Sequence, residues 1–284
     1  MSGTLYLVGT PIGNLGDLSV RALETLSPRA LRALEEADFI AAEDTRVTAK
    51  LLNHFEIKKP CVSYYEHNKY ASGEKIVARL LAGETCALVT DAGMPAISDP
   101  GEDIVRQCAE QGIDVQVIPG PCAAIAALAV SGLPTQQFCF EGFLAVSGKT
   151  RREHLERLRG ETRTMIFYEA PHKLLRTLCD LRDTFGGARE ITLARELTKL
   201  HEEIRRATLG EAADYYRDNT PKGEFVLVVR GSEPTEEGEV TLEDGLLLVD
   251  RLRGEGLSLR DAVRQAAKEL GLPRKQLYDR AVDR

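Results

Sequence analysis

The residues of this chain that are best suited to chemistry are concentrated in four loops rich in glycine and proline. Each loop directly follows a short apolar run that is typical of a β-strand. In open α/β sheets, ligands bind outside the carboxyl ends of the strands, where backbone N–H groups can hold them. The pattern therefore predicts one composite ligand site, formed by the loops GTPIGNLGD (Gly9–Asp17), TDAGMPAISDPG (Thr90–Gly101), PGPCAA (Pro119–Ala124) and YEAPHK (Tyr168–Lys173).

The spacing within these loops and elsewhere argues against several common sites. Glycines at positions 9, 13 and 16 do not form the G-x-G-x-x-G of a dinucleotide fold, and no lysine follows to make a phosphate loop. A later SGKT string looks like the end of a phosphate loop, but Phe143 stands where that motif requires glycine. Five histidines without an H-E-x-x-H spacing and six cysteines without a C-x-x-C pair predict neither a metal site nor a disulfide framework.

The loop sequences, taken together, resemble a known enzyme family. They are similar to the tetrapyrrole methylase superfamily of S-adenosylmethionine-dependent methyltransferases, and within it to the ribosomal RNA small subunit methyltransferase I branch. That branch methylates a ribose 2′-hydroxyl of a decoding-centre cytidine in 16S ribosomal RNA. The matches run in family order from residue 5 to about residue 230 and comprise GTPIGNLGD, EDTR (Glu43–Arg46), TDAGMPAISDPG, EGF (Glu141–Phe143), YEAPH, RELTKLHEE (Arg195–Glu203) and KGEFVLVV (Lys222–Val229).

The resemblance implies where the methyl donor binds. In the family, S-adenosylmethionine lies folded in a cleft between two domains and is held largely by backbone groups. Lys173 stands where arginine is expected after YEAPH, so the charge is kept but bidentate geometry is lost. Carried over motif by motif, the implied donor contacts are Asp91, Gly93, Met94, Pro95, Ile97, Ser98, Gly120, Pro121, Cys122, Ala123, Tyr168 and Gly223.

Methylation of a ribose hydroxyl requires a group that removes the proton or a field that favours the alkoxide. The sulfonium donor is already activated by its charge, so no metal is expected. Asp44 and Thr45 can also simply cap the following helix. We therefore expect the catalytic group to be found among Glu43, Asp44, Arg46, Glu169, Glu196 and Lys199, without choosing one of them.

The RNA contacts are predicted from the acceptor-facing loops and from local basic charge. A net charge of −7 counts against a nucleic-acid binder, but residues 145–160 hold five Lys/Arg against two Asp/Glu, and residues 250–284 hold nine against six. An ordinary solvated helix face explains each segment equally well. The expected substrate contacts are Pro11, Asn14, Lys149, Arg151, Arg152 and Arg195.

The order of apolar runs and helical patterns predicts an α/β fold with two domains and a small helical appendage. Strands are expected near 5–8, 38–42, 86–89, 115–118, 137–142, 164–168, 190–195, 202–207 and 224–229. The first four suit a mostly parallel sheet, and the closely spaced later strands suit a mixed sheet. We expect domains at 1–134 and 135–232 with the donor cleft between them, and a helical appendage at 240–284.

The appendage contains a Gly271-Leu272-Pro273 break that suits a helix–turn–helix. It is interpreted as a packing or RNA-docking element rather than as a DNA-binding one.

The family resemblance further implies a homodimer, with 16S ribosomal RNA in the small subunit as the partner. Without a signal sequence or a long apolar run, a cytoplasmic location without membrane contact is expected. The alternatives are a C-methyltransferase for a precorrin-like tetrapyrrole and a non-catalytic nucleic-acid-binding protein.

Overall fold

The structure is a computed structural model that describes residues 2–11, 26–233, 242–254 and 256–282. It divides into two compact units, Met1–Gly231 and Ser232–Arg284. The expected acceptor contact Asn14 lies outside the described residues, and so does most of the segment 19–26, whose sequence pattern predicts a helix. Within the described part of the chain, every helix is too short or too polar to span a membrane.

The first sheet of the larger unit is fully parallel, as expected from the alternation of strand and helix patterns. Its strand order is β3-β2-β4-β1-β5, so that β1 lies between β4 and β5. The central strands β2 and β4 are buried along their whole length, which is typical of a parallel sheet covered on both faces. The strands are β1 (Thr4–Val8), β2 (Phe39–Ala42), β3 (Cys61–Ser63), β4 (Cys86–Val89) and β5 (Asp114–Ile118).

Four helices of the described residues cover this sheet, two on each face. One face packs against Leu34 and Leu51, and the other against Ile76 and Ile104. Helix starts follow the expected capping chemistry, since Ser27 accepts a hydrogen bond from the N–H of Ala30. The helices are α1 (Pro28–Glu36), α2 (Thr45–His54), α3 (Lys69–Leu81) and α4 (Gly101–Glu110).

The second sheet is mixed, with strand order β6-β7-β10-β8-β9. Strands β6 and β7 are parallel, whereas the other pairs are antiparallel, which confirms the mixed sheet expected from the closely spaced strands. A β-bulge interrupts the pairing of β6 between Phe140 and Gly142. The strands are β6 (Phe138–Phe143), β7 (Thr164–Glu169), β8 (Glu190–Arg195), β9 (Glu203–Thr208) and β10 (Phe225–Val229).

Helix α5 (Ala123–Ser131) covers one face of the second sheet, although it directly follows the last strand of the first sheet. Its residues Ala127 and Leu128 pack with Ile166 and Val228. The opposite face is covered by α6 (Gly148–Arg157), α7 (Pro171–Phe185) and α8 (Leu209–Asp218). Helix α5 therefore passes from one sheet to the other, and the domain boundary at residue 134 stays a prediction.

The unit from Ser232 onward contains three helices with a small core of their own. They are α9 (Leu242–Gly254), α10 (Leu259–Leu270) and α11 (Arg274–Val282). Gly271 ends α10 with a φ of 65°, in the left-handed region that favours glycine. The helix–turn–helix pattern expected from the Gly271-Leu272-Pro273 break is thus present as two helices joined by this turn.

Candidate active site

One cavity of about 530 Å³ lies at the carboxyl ends of strands from both sheets of the larger unit. Its volume is within the range of small-molecule and cofactor sites. The lining is mostly apolar, and its carboxylates come from both sheets. It consists of Glu43, Thr90, Asp91, Ala92, Gly93, Met94, Ile97, Ser98, Asp99, Cys122, Ala123, Phe143, Tyr168, Glu169, Ala170, Pro171, His172, Ala194, Leu197, Lys199, Glu224, Phe225 and Val226.

The first wall is formed where the neighbouring strands β2 and β4 end side by side. Ala42 pairs with Val89 in the parallel register, so the residues that follow them meet at the sheet edge. Oγ1 of Thr90 donates to Oε2 of Glu43 at 2.8 Å. The loop residues Glu43 and Asp91 thus stand together on this wall because the sheet register brings their strands to the same level.

Three loops approach one another closely beside this wall. A Cβ on Gly9 would lie 2.6 Å from Cα of Gly120 and 2.7 Å from Sδ of Met94. Thr10 and Gly93 form a two-way backbone bridge, with N···O distances of 2.9 and 3.2 Å. Glycine is required at these positions because a side chain would separate the loops that follow β1, β4 and β5.

The loop after β4 adopts an unusual backbone conformation beside the cavity. Gly93, Ala96 and Ser98 have φ values of 88°, 69° and 65°, and two of them are not glycine. Asp99 holds the turn, since its Oδ1 accepts hydrogen bonds from the N–H groups of Ala96 and Gly101 at 2.8 and 2.7 Å. Left-handed non-glycine residues that are held by such contacts are concentrated at functional sites.

The second wall comes from the second sheet and is largely aromatic and aliphatic. The ring of Tyr168 lies edge-on to Phe143, with centroids 5.6 Å apart. Its hydroxyl accepts a hydrogen bond from the N–H of Ala124 at 3.2 Å, in the first turn of α5. Burial raises the pKa of Tyr168 to about 12, so the phenol is neutral at physiological pH.

Lys199 forms an ion-paired group at the edge of this wall. Its Nζ lies 2.9 Å from Oε1 of Glu196 and 2.9 Å from Oε2 of Glu224. Burial alone would lower the pKa of Lys199, but the two carboxylates outweigh it and raise the pKa above its ordinary value. Lys199 therefore carries a proton and is not suited to act as a base. The backbone next to it is left-handed at two residues, since Glu196 and Thr198 have φ values of 50° and 67°.

Glu169 is buried at the end of β7, and a polar network holds both of its carboxylate oxygens. Oε1 accepts from the N–H of Ala170 at 2.8 Å, and Oε2 accepts from the hydroxyl of Thr177 at 2.5 Å. Arg151 donates to Thr177, to the carbonyl of Ala145 and to Asp180 at 2.9, 2.9 and 2.7 Å. Arg151 is only 4% exposed.

This placement corrects the expectation that Arg151 contacts RNA. Its guanidinium points into the helical layer and is engaged on all three nitrogens, so a surface phosphate cannot reach it. The signal was ambiguous in the sequence, because Arg151 and Arg152 are adjacent in a basic segment and only the helix phase separates them. Arg152 and Lys149 are exposed, as expected for phosphate contacts.

The cavity is acidic on the side of the first sheet. Burial, followed by the charge of Glu43, raises the pKa of Asp91, and burial raises the pKa of Asp99. Asp44 is different, since hydrogen bonds from Arg46 lower its pKa to about 2. A wall of half-buried carboxylates favours a cationic ligand group, because an opposite charge relieves the cost of their ionisation.

The structure brings together about half of the site residues expected from the sequence. Phe143, Asp99, Leu197 and Val226 line the cavity but were not expected; all four belong to motifs noted above, but a motif match alone does not show which of its residues face the cavity. The expected residues that line the cavity are Glu43, Asp91, Gly93, Met94, Ile97, Ser98, Cys122, Ala123, Tyr168, Glu169 and Lys199.

The other expected residues lie around the cavity without lining it. Pro11 and Pro95 are buried, and Arg46 is exposed. A Cβ on Gly223 would lie 2.5 Å from Cδ of Glu196. Arg195 donates to the carbonyl of Lys222 and to Glu203. The described residues not lining the cavity are Pro11, Asp44, Arg46, Pro95, Gly120, Pro121, Lys149, Arg151, Arg152, Arg195, Glu196 and Gly223.

Among the described residues, no set of three or more His, Cys, Asp or Glu side chains is arranged to hold a metal ion.

Comparison with known proteins gives two family matches that together span most of the chain. Residues 4–213 match the Tetrapyrrole (Corrin/Porphyrin) Methylases, and residues 243–284 match the RsmI C-terminal HTH domain. The first match covers the first sheet and the second sheet except β10, and it ends within α8. The second covers the three C-terminal helices.

Curated relatives match over almost the whole chain. The Ribosomal RNA small subunit methyltransferase I of Synechocystis sp. is 49% identical, with 99% of this chain and 98% of that protein covered. The protein of the same name from Halalkalibacterium halodurans is 47% identical, with 98% and 94% covered. A solved uroporphyrin-III C-methyl transferase from Thermus thermophilus, complexed with S-adenyl homocysteine, has a TM-score of 0.54 at 20% identity over 80% of this chain and 97% of that chain. The latter likeness shows a shared fold.

Proposed function

The chain belongs to the tetrapyrrole methylase family, within it to the ribosomal RNA small subunit methyltransferase I group, and on that basis we propose that it methylates 16S ribosomal RNA. The reaction is transfer of a methyl group from S-adenosylmethionine to the ribose 2′-hydroxyl of a decoding-centre cytidine. The observation that carries this proposal is the similarity over both the two-sheet unit and the C-terminal helices, at 49% identity.

The cavity fits the proposed donor in size and charge. About 530 Å³ is adequate for a cofactor of this class. The carboxylates of Asp91 and Asp99, whose pKa values are raised, favour the positive charge of a sulfonium or an ammonium group. The close packing of Gly9 against Gly120 holds together the loops that follow β1 and β5 beside the cavity. S-adenosylmethionine supplies an activated methyl group, and this chain's residues position it.

The donor contacts are proposed on the loops already described. Asp91, Gly93, Met94, Ile97 and Ser98 hold the donor from the loop after β4. Cys122, Ala123 and Tyr168 hold it from α5 and β7, and all eight line the cavity. Pro95, Gly120 and Pro121 support these loops from behind, and Gly223 positions Glu196.

Glu43 is the proposed group that takes the ribose proton. It lines the cavity and accepts one hydrogen bond from Thr90. The other candidates are less suited: Lys199 is protonated, Glu169 is held on both oxygens, and Asp44 has a pKa of about 2. Positioned bases contribute about 10²- to 10⁴-fold. We expect Glu43→Gln to lower kcat by a factor in that range with donor affinity kept, and exposed Glu35→Gln to leave kcat unchanged.

The acceptor is proposed to approach from the side of Lys149 and Arg152. Pro11 and the EDTR segment (Glu43–Arg46) are proposed to face the same RNA substrate. Within that segment, Arg46 is exposed and can contact a phosphate. A ribosomal substrate places the protein in the cytoplasm.

A homodimer is proposed from the family and is supported by exposed apolar residues on the edge strand β5 and on α5. Val117 is 51% exposed and Ile125 is 49% exposed. Sedimentation at micromolar concentration should show twice the chain mass of 31.3 kDa, and a species of chain mass alone would reject the dimer.

Labelled methyl transfer from S-adenosylmethionine to small ribosomal subunits tests the reaction. Subunits that lack the modification should accept label at a single cytidine, mapped as a ribose methylation. Subunits that already carry it are the matched control and should accept none. Label on a base carbon, or on no RNA at all, would contradict the proposed reaction.

A further inference from the structure

Phe143 occupies an unusual position at the end of β6. It lines the cavity, yet it is 57% exposed, so one side of its ring faces solvent at the rim. Its other contacts are aromatic, since Phe143 and Phe140 both lie edge-on to Tyr168, with centroids 5.6 and 5.0 Å from it. An aromatic neighbour therefore contacts one side of the Phe143 ring, and the other side is open to solvent.

The β-bulge in β6 is what turns Phe143 towards the cavity. Side chains alternate along a strand, so residues 140 and 143 would lie on opposite faces of a regular strand. Here Phe140 pairs with Ile166 and Phe143 pairs with Tyr168, which share one face. Gly142 accommodates the bulge with a φ of 61°. Bulges next to active sites commonly redirect a side chain in this way.

The extra residue of the bulge, Glu141, contacts the neighbouring helix α6. Oε2 of Glu141 lies 2.8 Å from Nε2 of His154 on α6. Gly142 lies close to the donor loop, since a Cβ there would be 3.4 Å from Oγ of Ser98. The bulge therefore has a defined geometry, and it links the rim residue Phe143 to both α6 and the donor loop.

Charge indicates which ligand the exposed face of Phe143 meets. Glu43, Asp91 and Asp99 make the first-sheet wall acidic, which disfavours RNA phosphates inside this part of the cavity, whereas Arg46 is exposed outside it. The connection after Phe143 leads into the first turns of α6, where Lys149 and Arg152 are exposed. Aromatic rings beside cations are the usual platform for single-stranded nucleic acids.

We propose that Phe143 is the surface on which the base of the acceptor nucleotide stacks when its ribose enters the cavity. This inference rests on the proposed function and adds the residue that holds the acceptor base. Unstacked bases of RNA are commonly held on aromatic side chains. Replacing such a ring by alanine weakens binding roughly five- to 150-fold per base.

Variants of Phe143 test the proposal in methyl transfer to small subunits that lack the modification. Phe143→Ala and Phe143→Leu should lower kcat/KM for the subunit about tenfold or more, because leucine restores apolar area but not the ring. Phe143→Tyr should stay within about twofold. Phe138→Ala is the matched control, since Phe138 is 39% exposed at the other end of the same strand and does not line the cavity.

Donor binding by calorimetry, measured on the same preparations, separates the acceptor base from the adenine of the donor. All variants should bind S-adenosylmethionine within about twofold of the parent. Weakened donor binding with unchanged KM for the subunit would assign the ring to the adenine and overturn the proposal. A Phe143→Ala enzyme with parent-like transfer and donor affinity would also overturn it.

A fluorescence experiment makes the result independent of turnover. The chain contains no tryptophan, so Phe143→Trp introduces a single tryptophan, whose emission can be excited separately from that of the tyrosines. With S-adenosylhomocysteine bound, a short cytidine-containing oligoribonucleotide should quench it, whereas S-adenosylhomocysteine alone should not. Phe138→Trp is the control and should not respond. If the oligoribonucleotide quenches the fluorescence but the enzyme does not methylate subunits, the stacking role of residue 143 is supported and the proposed reaction is rejected. No quenching in an enzyme that methylates subunits would reject the stacking surface.

Discussion

Nη2 of Arg151 lies 2.9 Å from the hydroxyl of Thr177, and that hydroxyl donates in turn to Glu169 at 2.5 Å. A buried cation is thereby linked through one hydroxyl to a carboxylate on the wall of the candidate active site. The neighbouring Arg152 is exposed and belongs to the surface. Two adjacent arginines therefore have separable effects, one on stability and the other on RNA binding.

Arg151→Met should destabilise the protein by about 2 to 4 kcal/mol, because it removes three hydrogen bonds and leaves Asp180 and Thr177 without their partner. Urea unfolding measures the change. Arg152→Met is the matched control and should stay within about 0.5 kcal/mol of the parent. Equal stability of the two variants would contradict the structural role of Arg151.

The double variant Lys149→Glu/Arg152→Glu should strongly reduce methylation of small subunits, with a loss that depends on salt. Phosphate contacts contribute salt-dependent affinity, whereas the donor cavity is untouched. Donor affinity should remain within about twofold by calorimetry. Arg29→Glu/Arg32→Glu makes the same change in charge on exposed positions of α1 and should transfer methyl like the parent. Parent-like transfer by the first variant across a salt series would move the RNA site to the C-terminal helices.

Gly93→Val should weaken S-adenosylmethionine binding by about tenfold or more, which is roughly 1.4 kcal/mol. Gly93 has a φ of 88° and bridges to Thr10, so a β-branched side chain distorts the donor loop at its base. Gly112→Val introduces a comparable strain at a φ of 65° with open space around it. The control should lose stability without losing donor affinity, and unchanged donor binding in folded Gly93→Val would exclude this loop from the donor site.

Asp91→Asn should increase the free energy of unfolding at neutral pH. Burial and Glu43 raise the pKa of Asp91 in the folded state. The favourable contribution of Asp91 to the free energy of unfolding is therefore fully present below the ordinary aspartate pKa of about 3.9, and it is lost as the pH rises through the folded-state pKa. Asparagine carries no charge and keeps an oxygen for the N–H of Asp44.

Chemical unfolding of Asp91→Asn across a pH series measures this difference. The gain over the parent should be largest at neutral pH and shrink on acidification. Exposed Asp218→Asn is the control and should show no such trend. A variant that is less stable than the parent at neutral pH would contradict the electrostatic strain assigned to Asp91.

Local sequence patterns predicted most of the fold because long apolar periods and turn residues fall where the elements begin and end. The mixed second sheet and the three C-terminal helices were predicted correctly. Strand β3 (Cys61–Ser63) and helix α1 (Pro28–Glu36) were not predicted. The three residues of β3 are only partly buried, and no apolar alternation marks them. Helix α1 is only nine residues long, and two of its three buried residues are alanine.

The site was predictable only where a loop motif carries the signal. Glu43, Asp91 and Tyr168 were found in this way. Val226 and Leu197 line the cavity because the second sheet folds over it, and that contact depends on tertiary structure rather than on local sequence. The inward direction of Arg151 also depends on tertiary structure, since its partners Thr177 and Asp180 lie on another helix.

The bulge at Glu141 and Gly142 has a consequence for how this strand can change. Removing Glu141 would restore regular pairing, and Phe140 and Phe143, then two residues apart, would still lie on one face. Such a deletion would lose the contact of Glu141 with His154 on α6. In β6, loss of the bulge is therefore compatible with the position of Phe143, and what it would remove is the link between this edge strand and α6.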